Sequence, residues 1–513
     1  MAHAVRQGME IGTVQLVAAG PASAQPGAPQ GATVAEPVRL PAHCLVRGVI
    51  APRDGVDVAG LAGKRRFGIG FELRLPLQWN GRFLFQGGAG LDGVAQAAIG
   101  PIANSAQPPA LTRGFAIVST DSGHAGSPID ATFGLDQQAR IDYAYNALDK
   151  VTAEAKRLIT AYYGRAPRHS YFMGCSNGGR QALVAAQRLP LEFDGIVAGD
   201  PAMSFSRLAL GEVWNMRVLA AIAPRAQDGR PIYARAFSDD DLKLVREAVL
   251  KRCDALDGLA DGLINDFRGC RFHPGALRCT GDKTGRCLSD GQVGALHALM
   301  TGPQTSAGAS IYGPFNYDTG IASSAWRGMR LGTSQTGQPD SADSFLGLGQ
   351  FRFLQLTPPD PAWDPLLPYD VDAMLERIRH QGGMGDGDSP FLSTFVRRGR
   401  MIVYNGLSDQ GMATPHIVRW YEAMVAATGP QARDAVRLFA VPGMLHCGGG
   451  EATDRFEMLD AIIAWVEEGK APDRILASGK ALPGITRPLC PYPQVARYRG
   501  GDPADAAQFD CRE

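Results

Sequence analysis

At 513 residues the chain is too long for one ordinary hydrophobic core, which implies two domains or one domain with a large insertion. Its 51 Lys plus Arg balance 51 Asp plus Glu, so no basic field points to a nucleic-acid partner. No uninterrupted apolar run reaches membrane-spanning length, and 63 Gly with 35 Pro predict many loops rather than a long helical bundle.

The first 34 residues read as an export signal or a disordered segment. Residues 11–20 are mildly apolar behind Arg6, and Ala22-Ser23-Ala24 resembles a signal-peptidase site before a Pro/Gly/Ala-rich stretch. Glu10, Thr13 and Gln15 interrupt that apolar region. The nine cysteines carry more of the weight for a secreted or periplasmic location. Cys253/Cys270 and Cys279/Cys287 are close local pairs, and Cys490/Cys511 bracket the tail, a spacing that suits disulfides in an oxidising compartment. Zinc would need tight CxxC or HxxxH pairs, and the chain has none. An odd count leaves one thiol over, and Cys44 is assigned to it.

From residue 70 to 200 strand-like and helix-like segments alternate. Residues 82–86 (RFLFQ) predict a buried strand entering the turn Gly87-Gly88-Ala89-Gly90, and 115–120 predict a second strand ending in Asp121-Ser122-Gly123-His124. Apolar groups at helical spacing over 140–163 predict an amphipathic helix. A strand over 170–173, a sharp turn, a helix over 178–189 and a strand over 195–198 follow. This rhythm predicts a parallel sheet covered by helices. It breaks near 202, where capped helices (Ser238-Asp-Asp-Asp241, Ser289-Asp-Gly-Gln292), cysteines and Gly/Ser/Pro-rich loops begin. It resumes with a strand over 400–404, a helix over 415–427, a strand over 436–441 and a helix over 454–467. The expected architecture is therefore α/β, an α/β-hydrolase core over 35–202 and 396–513 with an inserted lid domain over 203–395.

Gly174-Cys175-Ser176-Asn177-Gly178 carries the G-x-S-x-G pattern between a predicted strand and a predicted helix. Such a turn holds Ser176 at a helix N-terminus beside the N–H of Asn177, one oxyanion donor; Gly88 is assigned as the second. A glycine-rich turn that merely contains serine is the bland reading, and Cys175 is the rival nucleophile. Asp409 follows the 400–404 strand and His446 follows the 436–441 strand, giving the chain order Ser, Asp, His. His446 would take the serine proton while Asp409 fixes its tautomer. His124 is the fallback base. Cys175 precedes the serine and Cys447 follows the histidine, so an assembled triad brings the two thiols together and a disulfide would clamp base to nucleophile; two free thiols are the alternative. In the insertion, Asp254, Asp257 and Asp261 stand at i, i+3 and i+7 with glycines between them, a set of hard oxygens suited to structural Ca²⁺ or a solvated acidic turn.

These motifs, Gly-Cys-Ser-Asn-Gly-Gly-Arg (174–180), Gly-Leu-Ser-Asp ending at Asp409, Leu-His-Cys-Gly-Gly-Gly (445–450) and the cysteine-flanked acidic loop, resemble the tannase and feruloyl esterase family, which includes mono(hydroxyethyl) terephthalate hydrolase-like enzymes. The resemblance runs from about residue 40 onward. It implies that Cys175 is bonded to Cys447 and that the acidic loop binds structural Ca²⁺ with backbone oxygens of Leu259 and Leu263. It also implies that the lid contacts the acyl group, for which Trp326, Phe345, Phe351 and Arg352 are candidates; lid core or surface is their alternative. The expected function is a serine carboxylic ester hydrolase acting on esters of aromatic acids (feruloyl, galloyl or terephthalate monoester type) through an acyl-enzyme, with no nucleic-acid or membrane partner. A non-catalytic calcium-stabilised binding protein and a serine peptidase on the same fold are the alternatives.

Overall fold

A computed structural model describes residues 8–22, 38–55, 65–100 and 104–513. Its central sheet has nine strands: β1 (Met9–Val17), β2 (His43–Asp54), β3 (Arg66–Pro76), β4 (Arg82–Gln86), β5 (Ala116–Thr120), β6 (His169–Cys175), β7 (Gly195–Gly199), β8 (Arg400–Gly406) and β9 (Val436–Val441). Their spatial order is β1-β2-β3-β5-β4-β6-β7-β8-β9. The first three strands run antiparallel to their neighbours, and every pairing from β5 through β9 is parallel. The fold is thus α/β around a mostly parallel sheet.

The parallel strands are mostly apolar and buried, as strands covered by helices on both faces are, with polar residues such as Arg82, His169 and Arg437 at a few positions. Side chains alternate between those faces. Phe83, Phe85, Phe172, Ile196 and Val403 enter one core, which contains Leu148, Val151 and Leu158 of α1 (Ala147–Tyr163), Leu183 of α2 (Asn177–Arg188) and Trp420 of α7 (Thr414–Thr428). Leu84, Tyr171, Met173, Val197 and Ile402 enter the other, with Ile462 and Trp465 of α8 (Met458–Glu468). Each such side chain contributes about 1.5–3 kcal/mol of burial, so the sheet is a rigid platform for what its carboxyl edge carries.

Register brings that edge into line. Cys175 is paired with Gly199 and Gly199 with Tyr404, so β6 and β7 end together and β8 runs two residues further, to Gly406, which is paired with Val441 at the end of β9. The loops beginning at Ser176, Asp200, Leu407 and Pro442 therefore emerge side by side. Between β7 and β8 lie α3 (Phe205–Ala220), α4 (Asp239–Cys253), α5 (Asp290–Thr301) and α6 (Val371–Gly385), whose side chains form two further apolar clusters. Ser238 and Ser289 cap α4 and α5 with reciprocal capping boxes.

The N-terminus departs from expectation. Residues 1–34 read as a signal or disordered segment, yet Met9–Val17 forms an edge strand paired antiparallel with β2. The polar residues Glu10, Thr13 and Gln15 that interrupt an apolar signal core belong to a strand with a bulge between Ile11 and Thr13. Ser23 and Ala24 lie outside the described residues.

Candidate active site

Ser176 caps α2 at φ 64 and ψ −123, a backbone conformation that non-glycine residues rarely adopt. Its glycine neighbours are required by contact: a Cβ on Gly178 would lie 2.7 Å from the Gly88 carbonyl oxygen, and one on Gly174 would lie 2.6–2.7 Å from Gly178 backbone. Asn177 anchors the turn. Its Oδ1 accepts from Arg180 Nε (2.8 Å) and Tyr143 OH (3.2 Å), and its Nδ2 donates to Asp92. Burial pushes the Asp92 carboxyl up to about 6, against the hydrogen bonds of Ser122 and Gln181.

His446 Nδ1 and Asp409 Oδ2 are 2.8 Å apart. Asp409 Oδ1 accepts the backbone N–H groups of Gly411 (2.7 Å) and Met412 (2.8 Å), so the carboxylate has one orientation available. Burial works against both charges. For Asp409 the charge and hydrogen bond of His446 outweigh it and hold the carboxyl below its ordinary value. For His446 the Asp409 carboxylate, with a smaller push from Asp200, outweighs it and holds the imidazole up at about 9. Ser176 and His446 line the same cavity, of about 140 Å³.

A fourth group stands behind these and was missed by sequence reasoning. Asp200, fully buried at φ 36, accepts Gly406 N–H (2.7 Å) and Cys447 N–H (3.2 Å), tying the Asp409 loop to the His446 loop. Its carboxyl is raised well above the ordinary value by burial first and then by the Asp409 charge. Two neighbouring buried carboxyls are thus driven in opposite directions, Asp200 up and Asp409 down. Its only sequence signal is Gly199-Asp200-Pro201 at a strand end, which is also an ordinary solvated-turn pattern.

Four disulfides join Cys175–Cys447, Cys253–Cys270, Cys279–Cys287 and Cys490–Cys511, and Cys44 is free and buried. Cys175–Cys447, with Cα atoms 6.0 Å apart, ties the residue before Ser176 to the residue after His446. His124 is a core residue: buried, stacked on Phe133 at 3.7 Å, with neither ring nitrogen partnered and its pKa pushed down to about 3, chiefly by burial and then by Arg65.

Several expected positions fall elsewhere. The Gly88 N–H is committed to Gln181 Oε1 (2.9 Å), because α2 presents Gln181 beneath the loop; Gly90 and Leu91 are the residues of that loop that reach the cavity. Trp326 and Phe351 are core residues of the segment between β7 and β8, Phe345 is exposed, and Arg352 gives its Nε–H to the Trp363 carbonyl (2.6 Å). None of the four lines the cavity. Over 343–355 the helical face that does is Leu346 and Gln350, four residues apart on one stripe, while Phe345 and Phe351 point away from it. A larger cleft of about 420 Å³ beside Arg268, Arg271 and Arg419 contains none of Ser176, Asp409 or His446, so size alone does not mark the site.

Among the described residues, two groups of three possible metal ligands lie within 4.8 Å of one another: Cys175/Asp200/Cys447 and Asp200/Asp409/His446. The first contains a disulfide and the second is the acid–base pair with its buried neighbour. In the acidic loop, Asp254 takes the N–H groups of Asp261 (3.2 Å) and Gly262 (2.9 Å), and Asp257 takes Leu259 N–H (3.1 Å) and Asn265 Nδ2 (2.6 Å). Asp261 is paired with Arg487. Burial raises Asp254 and pushes Asp257 up to about 6, and the Asp261 charge adds to both.

A family model described as tannase and feruloyl esterase matches residues 56–512. The chain is 39% identical to a mono(2-hydroxyethyl) terephthalate hydrolase of Piscinibacter sakaiensis over 92% of its own length and 85% of that protein's. It is 28% identical to a probable feruloyl esterase of Arthroderma benhamiae, over 86% and 81% of the two chains. Among solved structures, feruloyl esterase B from Aspergillus oryzae superposes with a TM-score of 0.79 at 24% identity, covering 100% of this chain and 98% of that one, a likeness of fold.

Proposed function

The chain belongs to the tannase and feruloyl esterase family of carboxylic ester hydrolases, and from that premise we propose that it cleaves esters of aromatic acids by serine catalysis at Ser176. The observation that carries this reading is the shared cavity of Ser176 and His446, with Asp409 bonded to the far side of the imidazole. His446 Nε2 takes the hydroxyl proton as Ser176 Oγ attacks the ester carbonyl, and returns it to the departing alkoxide, leaving an acyl-enzyme. Water, activated by the same nitrogen, then attacks the acyl carbonyl and releases the acid and the free serine. The Asn177 N–H at the positive end of α2 and the Gly90 N–H take the oxyanion in both steps.

The segment 203–395 acts as a lid domain: it supplies Phe205, Leu208, Glu212, Met329, Leu346 and Gln350 to the cavity wall. The acyl groups that suit an apolar pocket of this kind are of the feruloyl, galloyl or terephthalate monoester type. Asp254, Asp257 and Asp261, with the carbonyls of Leu259 and Leu263, would hold a structural Ca²⁺. The chemistry of the donor set fits: these are hard oxygens, and a bound cation would offset the Asp261 charge that adds to the burial raising Asp254 and Asp257. Four disulfides suit a secreted or periplasmic protein.

A fluorophosphonate probe tests the nucleophile. The expected result is a single covalent adduct on the folded protein, lost in Ser176→Ala. A folded wild type that stays unlabelled favours the binding-protein reading instead.

A further inference from the structure

The cavity holding Ser176 and His446 has an apolar body built from Leu91, Phe205, Leu208, Met329, Leu346 and Met412. At about 140 Å³ it matches the size of cavity that admits a single benzene ring, about 150 Å³. Besides Ser176 and His446, the polar residues that line it are Asn177 and Gln410, next in sequence to Ser176 and Asp409, and Glu212 from α3 with Gln350 from the 343–355 helical segment. Among the described residues no lysine or arginine lines it. Arg330, whose charge acts on Glu212, is occupied: it binds both carboxylate oxygens of buried Asp343 (2.9 and 3.0 Å) and the Gln410 carbonyl (2.5 Å). Glu212 is buried, its Oε2 takes a hydrogen bond from Gln350 Nε2, and the Gln350 Oε1 is a buried acceptor that no donor among the described residues reaches.

From this arrangement, and resting on the ester-hydrolase reading above, we propose that Glu212 and Gln350 form an acyl-recognition subsite that reads a phenolic hydroxyl on a benzoyl-type ring. A phenolic O–H brings a donor to the Gln350 oxygen and accepts from the Glu212 carboxyl. A ring carboxylate brings a charge into an apolar cavity whose wall offers it no free cation. The same wall thus selects hydroxybenzoyl esters and disfavours terephthalate monoesters, although the Piscinibacter sakaiensis relative is named for the latter. Burial, followed by the charge of Asp343, pushes the Glu212 carboxyl up to about 8. Near neutral pH it is therefore mostly protonated and serves a neutral hydroxyl as donor and acceptor alike. Unpaired polar groups at a buried recognition site penalise the analogue that lacks the matching group, which is how such a pair discriminates strongly.

The test is a comparison of kcat/KM for methyl 4-hydroxybenzoate, methyl benzoate and monomethyl terephthalate. In the wild type the hydroxylated ester is expected to exceed the unsubstituted one by at least about tenfold, the value of one well-made hydrogen bond, with monomethyl terephthalate lowest. Glu212→Leu and Gln350→Leu bring the hydroxylated-to-unsubstituted ratio towards one, and Glu212→Gln keeps most of it. Competitive inhibition of the wild type by 4-hydroxybenzoate, benzoate and terephthalate follows the same order and needs no variant to fold. Monomethyl terephthalate hydrolysed as well as the hydroxylated ester, or a ratio that neither leucine substitution moves, overturns the subsite alone. Failure of the wild type to hydrolyse any of the three overturns the ester-hydrolase reading and the subsite with it.

Discussion

Removing the bridge between Cys175 and Cys447 probes how the site is held together. The bridge closes a separation of 272 residues, for which the chain-entropy model allows about 5 kcal/mol, an upper value because engineered and native bridges commonly deliver less. It also holds Cys447 at φ 58, a conformation that costs a non-glycine residue about 1–3 kcal/mol. Gly448, Gly449 and Gly450 follow at φ 131, 77 and 85, so the loop beyond His446 has ready alternatives once the clamp is gone. In Cys175→Ala/Cys447→Ala, calorimetry is expected to show a loss of about 3–5 kcal/mol. At about 2.1 cal/mol/K per residue for a chain of this length, that lowers Tm by about 3–5 °C if unfolding is cooperative. A displacement of His446 on the order of 1 Å lowers kcat on an aromatic ester by about a hundredfold. The control is Cys279→Ala/Cys287→Ala, a bridge of separation 8 far from the site chemistry, which the same model values at about 2.5 kcal/mol. It lowers Tm less and leaves kcat alone. A clamp variant whose kcat stays within twofold of wild type while Tm falls as in the control refutes the idea that the bridge positions the base.

The pH profile reports the acid–base pair. His446 must be neutral to accept the serine proton, and its pKa is raised above the ordinary 6.5, so kcat/KM falls as pH drops through a value above 6.5. Asp409→Asn moves that limb to lower pH and reduces kcat by roughly 10⁴, whereas Asp200→Asn removes the smaller of the two pushes on His446 and moves the limb less; an Asp200→Asn shift as large as that of Asp409→Asn contradicts this ranking. Chelation by EGTA lowers Tm by about 2–3 °C, as expected for an ion present at about a hundred times its Kd, without loss of fluorophosphonate labelling; an unchanged melt removes the calcium loop. Glu467 binds Arg82 through Nε (2.6 Å) and Nη2 (2.7 Å) and accepts Tyr171 OH (2.6 Å), joining α8 to β4 and β6. Its carboxyl is lowered from 4.5 to about 2, first by the Arg82 hydrogen bond, so its contribution is complete above pH 4.5 and vanishes as pH falls towards 2. Glu467→Gln costs about 1–2 kcal/mol at pH 7 after solvent screening, and the two proteins converge near pH 2; a constant difference across that range contradicts the assignment.

The elements of the parallel sheet were legible because each is short, apolar and bounded by turn residues: 82–86 and 436–441 coincide with β4 and β9 to the residue. The elbow was legible because its chemistry is local, two glycines and a serine between a strand and a helix. What escaped was whatever depends on where separate segments meet. Asp200 is a lone strand-end aspartate until the sheet register puts it behind Asp409 and Cys447. Phe345, Phe351, Trp326 and Arg352 were chosen by residue type, but the rotation of the 343–355 helix about its axis decides which side chains face the cavity, and Leu346 and Gln350 do. Gly88 has an unobstructed N–H by sequence, but a glutamine just past the first turn of α2 accepts it. At the N-terminus, strand alternation with one bulge reads in the sequence as a weak apolar run, because the strand that pairs with it, His43–Asp54, lies far along the chain.

In this mechanism the acyl group is carried on Ser176, and mass spectrometry of an acid-quenched, pre-steady-state reaction with an aromatic ester detects it there. A transient mass increase equal to the acyl group is expected on the peptide containing Ser176, absent from Ser176→Ala. Hydrolysis of the same ester at an undiminished rate by Ser176→Ala, or an acyl mass carried by another peptide, would contradict this mechanism.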